Sequence, residues 1–350
     1  MYVNPYLQKI KRVKDHEDRT GYLWLDMNEN PEGLPEKFVK QTLDKINSLT
    51  VSGYPHKEEL VELIAKKEGL STNSVTLTNG SDEGIKLMFE TFTRAGGKVV
   101  AVTPSFEMYR IYAEMMGVKL DTIAYDQTFQ IHVDDIVKKI DEETNVVVLL
   151  NPNSPIGTEY TECEYIQIIE RAREVGALVF VDEAYVPFGV ESQVELTKKY
   201  DNVLILRTFS KLYSIAGLRV GYILGNPELI QYIENAEGSY NVNTIGILFA
   251  TELLKNPEIL HTLAGVQEEG KSFLCEQLMR CGYEYLGNYG NYVLINPHTD
   301  PKELADKMRE KKILIKTYNN LLLKDWIRIT TGSVNVMQQF WNAFTKIEME

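Results

Sequence analysis

Lys211 closes the run Arg207-Thr208-Phe209-Ser210-Lys211, an amine set among hydroxyls where the chain leaves an apolar segment, and a guanidinium follows eight residues on at Arg219. An amine so placed can hold a carbonyl compound covalently as a Schiff base beside a phosphate cradle. Asp182 directly follows Ala177-Leu178-Val179-Phe180-Val181. A carboxylate therefore stands at the carboxyl end of a central strand, the edge at which open α/β sheets bind ligands. Asn79-Gly80-Ser81-Asp82-Glu83-Gly84 follows another strand and opens a helix. Free backbone N–H groups and the positive end of the helix dipole meet there, so a phosphate can bind without a basic side chain. Each signal alone has a plainer reading: Ser81 and Asp82 as helix caps, Asp182 as the cap of a turn, Lys211 as a surface lysine. Together, three strand ends supply a phosphate cradle, a carboxylate for a pyridinium nitrogen and a lysine nucleophile. Those are the parts that pyridoxal 5'-phosphate requires. The five histidines are scattered, and His-Glu-x-x-His, Gly-x-Ser-x-Gly, Gly-x-Gly-x-x-Gly and Walker A patterns are absent. Metal, triad and nucleotide chemistry are thus not expected.

Such strand ends need a sheet to align them. Short runs rich in Val, Leu and Ile alternate with segments of helical period, which predicts βα units and a large, mostly parallel, seven-stranded sheet with strands at 75–78, 98–102, 119–124, 146–150, 177–181, 203–207 and 219–224. Ile85, Met88, Phe89 and Phe92 repeat at helical spacing, as do Tyr165, Ile168, Ile169 and Ala172 behind a Thr161–Glu164 capping box. From about residue 257 the pattern changes to a long helix, strands at 291–295, 313–316 and 326–330, and helices at 301–311 and 333–347. Asp300 and Pro301 sit at the start of the first of these two helices as N-cap and first helical residue. The division expected is an N-terminal arm (1–30), a large domain (31–256) and a smaller α+β domain (257–350). The lack of a linker implies a shared interface, a common place for a ligand cleft.

The 350 residues suit about two domains. With 50 acidic against 37 basic residues the net charge is −13, a field that repels nucleic acid. The basic cluster Lys9, Lys11, Arg12 and Lys14 reads as a solvated arm. Three cysteines without a Cys-x-x-Cys pair fit free thiols in a reducing compartment. No apolar run approaches the ~18 residues that span a bilayer, and the start carries no signal-peptide core, so a cytoplasmic protein is expected.

Seven ordered motifs carry a family resemblance: Asn28-Glu29-Asn30-Pro31, Gly53-Tyr54-Pro55, residues 79–84, Pro104-Ser105-Phe106-Glu107-Met108-Tyr109, Asn151-Pro152-Asn153-Ser154-Pro155, Val181-Asp182-Glu183-Ala184-Tyr185 and Arg207–Lys211. The chain resembles the fold-type I pyridoxal-phosphate aminotransferases, within them most closely the histidinol-phosphate aminotransferase group, over nearly its whole length. The resemblance implies that Lys211 carries the cofactor and moves the proton between the substrate α-carbon and the cofactor. Asp182 is implied to pair with the ring nitrogen, Tyr185 to hydrogen-bond the phenolic oxygen and Phe106 to stack on the ring. The phosphate is implied to rest on Ser81, Asp82, Thr208, Ser210 and Arg219, with Tyr54 reaching it from the neighbouring subunit of a homodimer. Arg328 matches the arginine that binds the substrate carboxylate, and Asn28 falls on the substrate side.

Two positions depart from the group's pattern. Ser154 replaces the usual cofactor-contacting asparagine, so either Ser154 or Asn153 must serve. Lys316 stands where a second arginine is usual, and a lysine lacks the bidentate fork. The reaction implied is amino transfer between an amino acid, L-glutamate in the leading reading, and a small oxo-compound, with or without a phosphate. The alternative on the same scaffold is decarboxylation of phosphothreonine or phosphoserine. A DNA-binding regulator of this fold would need a further module ahead of the resemblance, for which the first thirty residues leave no room.

Overall fold

A computed structural model describes residues 1–10 and 18–350. The side chains of the basic cluster Lys9, Lys11, Arg12 and Lys14, and His16, lie outside the described part. The large sheet has seven strands: β1 (Val75–Thr78), β2 (Lys98–Thr103), β3 (Lys119–Ala124), β4 (Thr144–Leu150), β5 (Leu178–Asp182), β6 (Val203–Thr208) and β7 (Gly221–Gly225). Their order across the sheet is β1-β7-β6-β5-β4-β2-β3, and every pairing is parallel except the two made by β7.

The central strands read as unbroken apolar runs because both faces are covered. Their pleat divides them between two cores. Val147, Leu149, Val179, Val181, Val203 and Ile205 point to one face, against the helices Glu58–Glu68, Glu162–Glu174 and Thr244–Lys255. Val146, Val148, Leu178, Phe180, Leu204 and Leu206 point to the other, against the helices Gly80–Phe92, Met108–Met116 and Pro227–Ala236. The predicted faces are the buried ones: Ile85, Met88 and Phe89 in the first helix, and Tyr165, Ile168, Ile169 and Ala172 behind a complete Thr161–Glu164 capping box.

The antiparallel β7 decides where the site forms. Thr78 and Thr208 both pair with Gly221, Leu150 pairs with Asp182, and Asp182 pairs with Leu206. The carboxyl ends of β1, β4, β5 and β6 and the amino end of β7 therefore meet at one edge. A strand predicted at 219–224 begins instead at Gly221, because residues 216–218 form a 3-10 turn and Arg219 adopts left-handed backbone at φ +54°. Arg219 is thereby placed at that edge rather than inside the ladder.

A four-stranded antiparallel sheet follows, in the order Lys316–Thr317, Ile327–Thr330, Tyr292–Asn296, Glu284–Leu286. It shares a third core with the helices Pro257–Cys281, Pro301–Glu310 and Val334–Glu348. The strand expected at 313–316 is split: Ile313–Leu314 pairs in parallel with Leu23–Trp24, while Lys316–Thr317 pairs with Ile327–Arg328. The N-terminal segment causes the split, since Leu25 is wholly buried in the third core.

The helix Pro257–Cys281 meets the backbone that leads into the helix Val334–Glu348 at a glycine. A Cβ on Gly270 would stand 1.9 Å from the Gly332 carbonyl oxygen, backbone that cannot swing away. Gly265, on the same helix, has open space around it. Gly270→Ala is expected to destabilise the protein by roughly 1–3 kcal/mol through overpacking. Gly265→Ala is expected to stabilise it by about 0.5–1 kcal/mol, since alanine is the better helix former. Denaturant midpoints of the two variants check both signs.

Candidate active site

The aligned strand ends open into a cavity of about 300 Å³ whose wall includes Ser81, Asp82, Phe106, Ser154, Asp182, Tyr185, Ser210, Lys211 and Arg219. Most of the residues singled out from sequence thus converge, from five separate segments.

At its floor, Asp182 is 2% exposed. Oδ2 accepts from the Tyr109 hydroxyl at 2.8 Å and Oδ1 from the Ala184 N–H at 3.0 Å. Burial pushes its carboxyl up to about 6, against the pull of those two hydrogen bonds. Beside it, the buried Tyr185 hydroxyl accepts from the Asn28 amide at 2.9 Å. Burial alone would raise that phenol, but the charges of Lys211 and Arg328 and hydrogen bonds from Asn28 and Ser154 leave it below the usual phenol range. The Lys211 Nζ sits 5.6 Å from the Tyr185 ring centre and donates to the Met27 carbonyl at 3.0 Å.

The other end is built for an anion. Gly80 has φ +75°, and a Cβ there would stand 2.5 Å from Arg219 Nη2. Arg219 itself holds strained left-handed backbone, a cost carried most often at functional sites. A glycine at positive φ and a strained arginine together bring a guanidinium over the first turn of the helix Gly80–Phe92. The Thr208 and Ser210 hydroxyls, 3.0 Å apart, complete that end.

A single N-terminal stretch touches the remaining groups. The Asp26 carbonyl accepts from Arg328 Nη2 at 2.6 Å, and Asn28 takes up Tyr185. Arg19 fixes the stretch by bridging Asp26 at 2.5 Å and Glu29 at 2.8 Å.

Four expected residues fall elsewhere. Asn153 is fully buried and lies outside the cavity wall, its amide spent on the Pro104 carbonyl at 2.9 Å and the Ser105 hydroxyl at 2.7 Å. Ser154 is the residue of that pair in the wall. Asn28 is 1% exposed and packed behind Tyr185 rather than presented to a substrate. Lys316 borders a separate cavity of about 750 Å³ with Tyr125, Tyr318 and Leu322. Tyr54 is 73% exposed and stacks on Tyr240 with ring centres 4.2 Å apart, away from this chain's own cavity. Arg328 is paired opposite Lys316 in the ladder, with its guanidinium 5.8 Å from the Tyr292 ring centre.

Sequence reasoning missed Tyr109, Tyr292 and the buried trio Glu68, Arg207 and Glu183. Tyr292 packs edge-to-face on Tyr185 at 5.3 Å. Arg207 bridges Glu183 at 2.6 Å and Glu68 at 3.6 Å behind the floor. Arg207 and Glu183 stood inside quoted motifs, and their adjacency to Lys211 and Asp182 was the available signal.

The fit to pyridoxal phosphate rests on chemistry the residues show. A carboxylate buried without a charged hydrogen-bond partner suits a protonated ring nitrogen. A glycine turn under a guanidinium suits a phosphate, and a lysine amine shares the cavity wall with both the carboxylate and the guanidinium. The fold is that of the fold-type I pyridoxal-phosphate enzymes. The profile of the family described as "Aminotransferase class I and II" matches residues 20–344. A histidinol-phosphate aminotransferase of Caldanaerobacter subterraneus subsp. tengcongensis is 31% identical over 353 residues, covering 99% of both chains. The crystal structure of histidinol-phosphate aminotransferase from Sinorhizobium meliloti in complex with pyridoxal-5'-phosphate superposes with a TM-score of 0.88 at 21% identity, covering 99% of this chain and 97% of that one. The L-threonine-O-3-phosphate decarboxylase of Porphyromonas gingivalis shares the fold with a TM-score of 0.79 at 21% identity, covering 94% of this chain and all of that one. The chain belongs to the class I and II aminotransferases, and it is a pyridoxal-phosphate-dependent aminotransferase.

Closing the gap at Gly80 tests the cradle. Gly80→Ala is expected to lower pyridoxal phosphate affinity by tenfold or more, since Arg219 must move. Gly96→Ala, also at positive φ but in open space, should leave it unchanged. Titration of the apoproteins checks the pair.

Proposed function

We propose that this aminotransferase takes the amino group from L-glutamate and gives it to a small oxo-compound that carries a phosphate, of the histidinol-phosphate type. The single observation that carries the site assignment is the gathering of Lys211, Asp182, Tyr185 and Arg219 in one cavity. The substrate class is supported by the relatives' names: histidinol-phosphate aminotransferases align with this chain from end to end at about 30% identity. The phosphothreonine or phosphoserine decarboxylase reading has less support, because its representative shares only the fold.

When bound, pyridoxal phosphate supplies a carbonyl to exchange for the amine and a sink for the electron pair left as the α-proton departs. Arg219, the backbone at Ser81 and Asp82, and the Thr208 and Ser210 hydroxyls hold its phosphate. Asp182 would hold a proton on the cofactor's ring nitrogen. Phe106 would supply an aromatic face for that ring, and Tyr185 with Ser154 would hydrogen-bond its phenolic oxygen, a role that Tyr185's depressed phenol suits. Lys211, whose amine stands in the cavity wall, would hold the cofactor's carbonyl carbon and would serve as the base that moves the substrate α-proton. Arg328 binds the substrate carboxylate through its planar fork. Asn28 acts by holding Tyr185. Lys316 carries no step in this reading.

The active unit proposed is a homodimer in which Tyr54 of a second copy reaches the phosphate. Its exposed stack on Tyr240 supports this, because the stack holds the ring ready outside its own cavity. The proposed division into 1–30, 31–256 and 257–350 follows the change from the seven-stranded to the four-stranded sheet. A cytoplasmic location is proposed; among the described residues no helix is long and apolar enough to cross a membrane.

The test is the visible spectrum of the cofactor-loaded protein with L-glutamate. Bleaching of the yellow form with stoichiometric 2-oxoglutarate is expected, and histidinol phosphate with 2-oxoglutarate should form glutamate. Release of carbon dioxide from phosphothreonine without amino transfer would contradict the reading. Lys211→Ala is expected to cut turnover by several orders of magnitude while leaving the apoprotein's unfolding midpoint in place. Asp182→Asn should slow α-proton removal by a comparable margin.

A further inference from the structure

Tyr109 has no part in the assignments above, yet its hydroxyl lies 2.8 Å from Asp182 Oδ2. Both residues are 2% exposed. Tyr109 sits one turn beyond Phe106, with its N–H on the Phe106 carbonyl at 3.3 Å and the two rings edge-to-face at 5.9 Å. One helical turn therefore presents Phe106 to the cavity and Tyr109 to the carboxylate beneath it. The other carboxylate oxygen is held by the Ala184 N–H.

We infer that Tyr109 is a positioning residue whose hydroxyl keeps Asp182 ionised and aimed at the cavity, so that the carboxylate is charged where the ring nitrogen must sit. The inference rests on the cofactor reading above and adds a residue to it. Burial favours the neutral acid at Asp182, and the Tyr109 hydrogen bond is the first-ranking pull in the other direction. The remaining charged groups that face Asp182 are Lys211, which favours ionisation, and Glu183, which opposes it and is itself bridged to Arg207. Tyr109 stays a donor at every working pH, because burial and the Asp182 charge push its phenol well above the usual value. Its ring also packs in the core, so a structural role alone is the competing explanation.

A pH profile separates the two. Attraction between the carboxylate and a protonated ring nitrogen is present above the Asp182 pKa and lost as pH falls through it. The affinity of the wild-type apoprotein for pyridoxal phosphate, followed by fluorescence quenching, should therefore decline as pH falls through about 6. In Tyr109→Phe the hydroxyl is gone and the ring remains. The decline should move to higher pH by on the order of one unit, with affinity on the alkaline side and the unfolding midpoint little changed. Tyr109→Met, which fills much of the space without a donor, should shift it the same way. Asp182→Asn should remove the part of the profile that Tyr109 moves. A decline that stays at the wild-type pH in both Tyr109 variants overturns the inference while leaving the cofactor reading intact. A wild-type apoprotein that does not bind pyridoxal phosphate saturably overturns the cofactor reading, and this inference with it.

Discussion

A carboxylate removed from water at the carboxyl end of β5 is the constraint on which the rest of the site depends. Asp182 is costly to bury, and its direct partners, a phenol and a backbone amide, carry no charge. That cost makes sense only if a cation is to be met there, and the geometry around it specifies which. The wall that faces Asp182 also holds an amine and, at the far end, a guanidinium over a glycine turn. Those three groups are the ones that suit a flat heteroaromatic cation with a carbonyl and a phosphate.

The fold serves this alignment through one reversed strand. Were β7 parallel, its amino end would lie at the far edge, and Arg219 could not stand beside Gly80. The antiparallel pairing brings Gly221 between Thr78 and Thr208, and the left-handed turn at Arg219 swings the guanidinium back over the helix start. Behind the floor, Arg207 ties Glu183 to Glu68, and the Glu183 carboxylate also accepts from the Gln193 N–H and the Ser192 hydroxyl. The loop that carries Tyr185 is thus anchored to the neighbouring strand.

Much of this was legible in the sequence, for a definite reason. Strands covered on both faces must be apolar throughout, so β4, β5 and β6 stand out, and the polar residues that end them are conspicuous. Asp182, Lys211, Arg219 and the glycine turn at Gly80 were found that way, with strand limits within two residues. What escaped depended on tertiary contact. Tyr109 reads as one more apolar helix position until Asp182 is seen beside it. The choice of Ser154 over Asn153 rests on the Ser105 hydroxyl and Pro104 carbonyl, 48 and 49 residues away in sequence. Nor does any local pattern reveal that residues 23–29, read as part of an arm, would pair with Ile313 and hold Lys211, Tyr185 and Arg328.

The central claim is that Asp182, Lys211 and Arg219 hold one cofactor between them, and a crystal structure of the pyridoxal-phosphate-loaded protein tests it most directly. The account predicts continuous density from Lys211 Nζ to the cofactor, the ring nitrogen within hydrogen-bond distance of Asp182, and the phosphate on the Arg219 guanidinium and the backbone at Ser81 and Asp82. A cofactor bound with its ring nitrogen away from Asp182, or with its phosphate elsewhere than on Arg219, would contradict it.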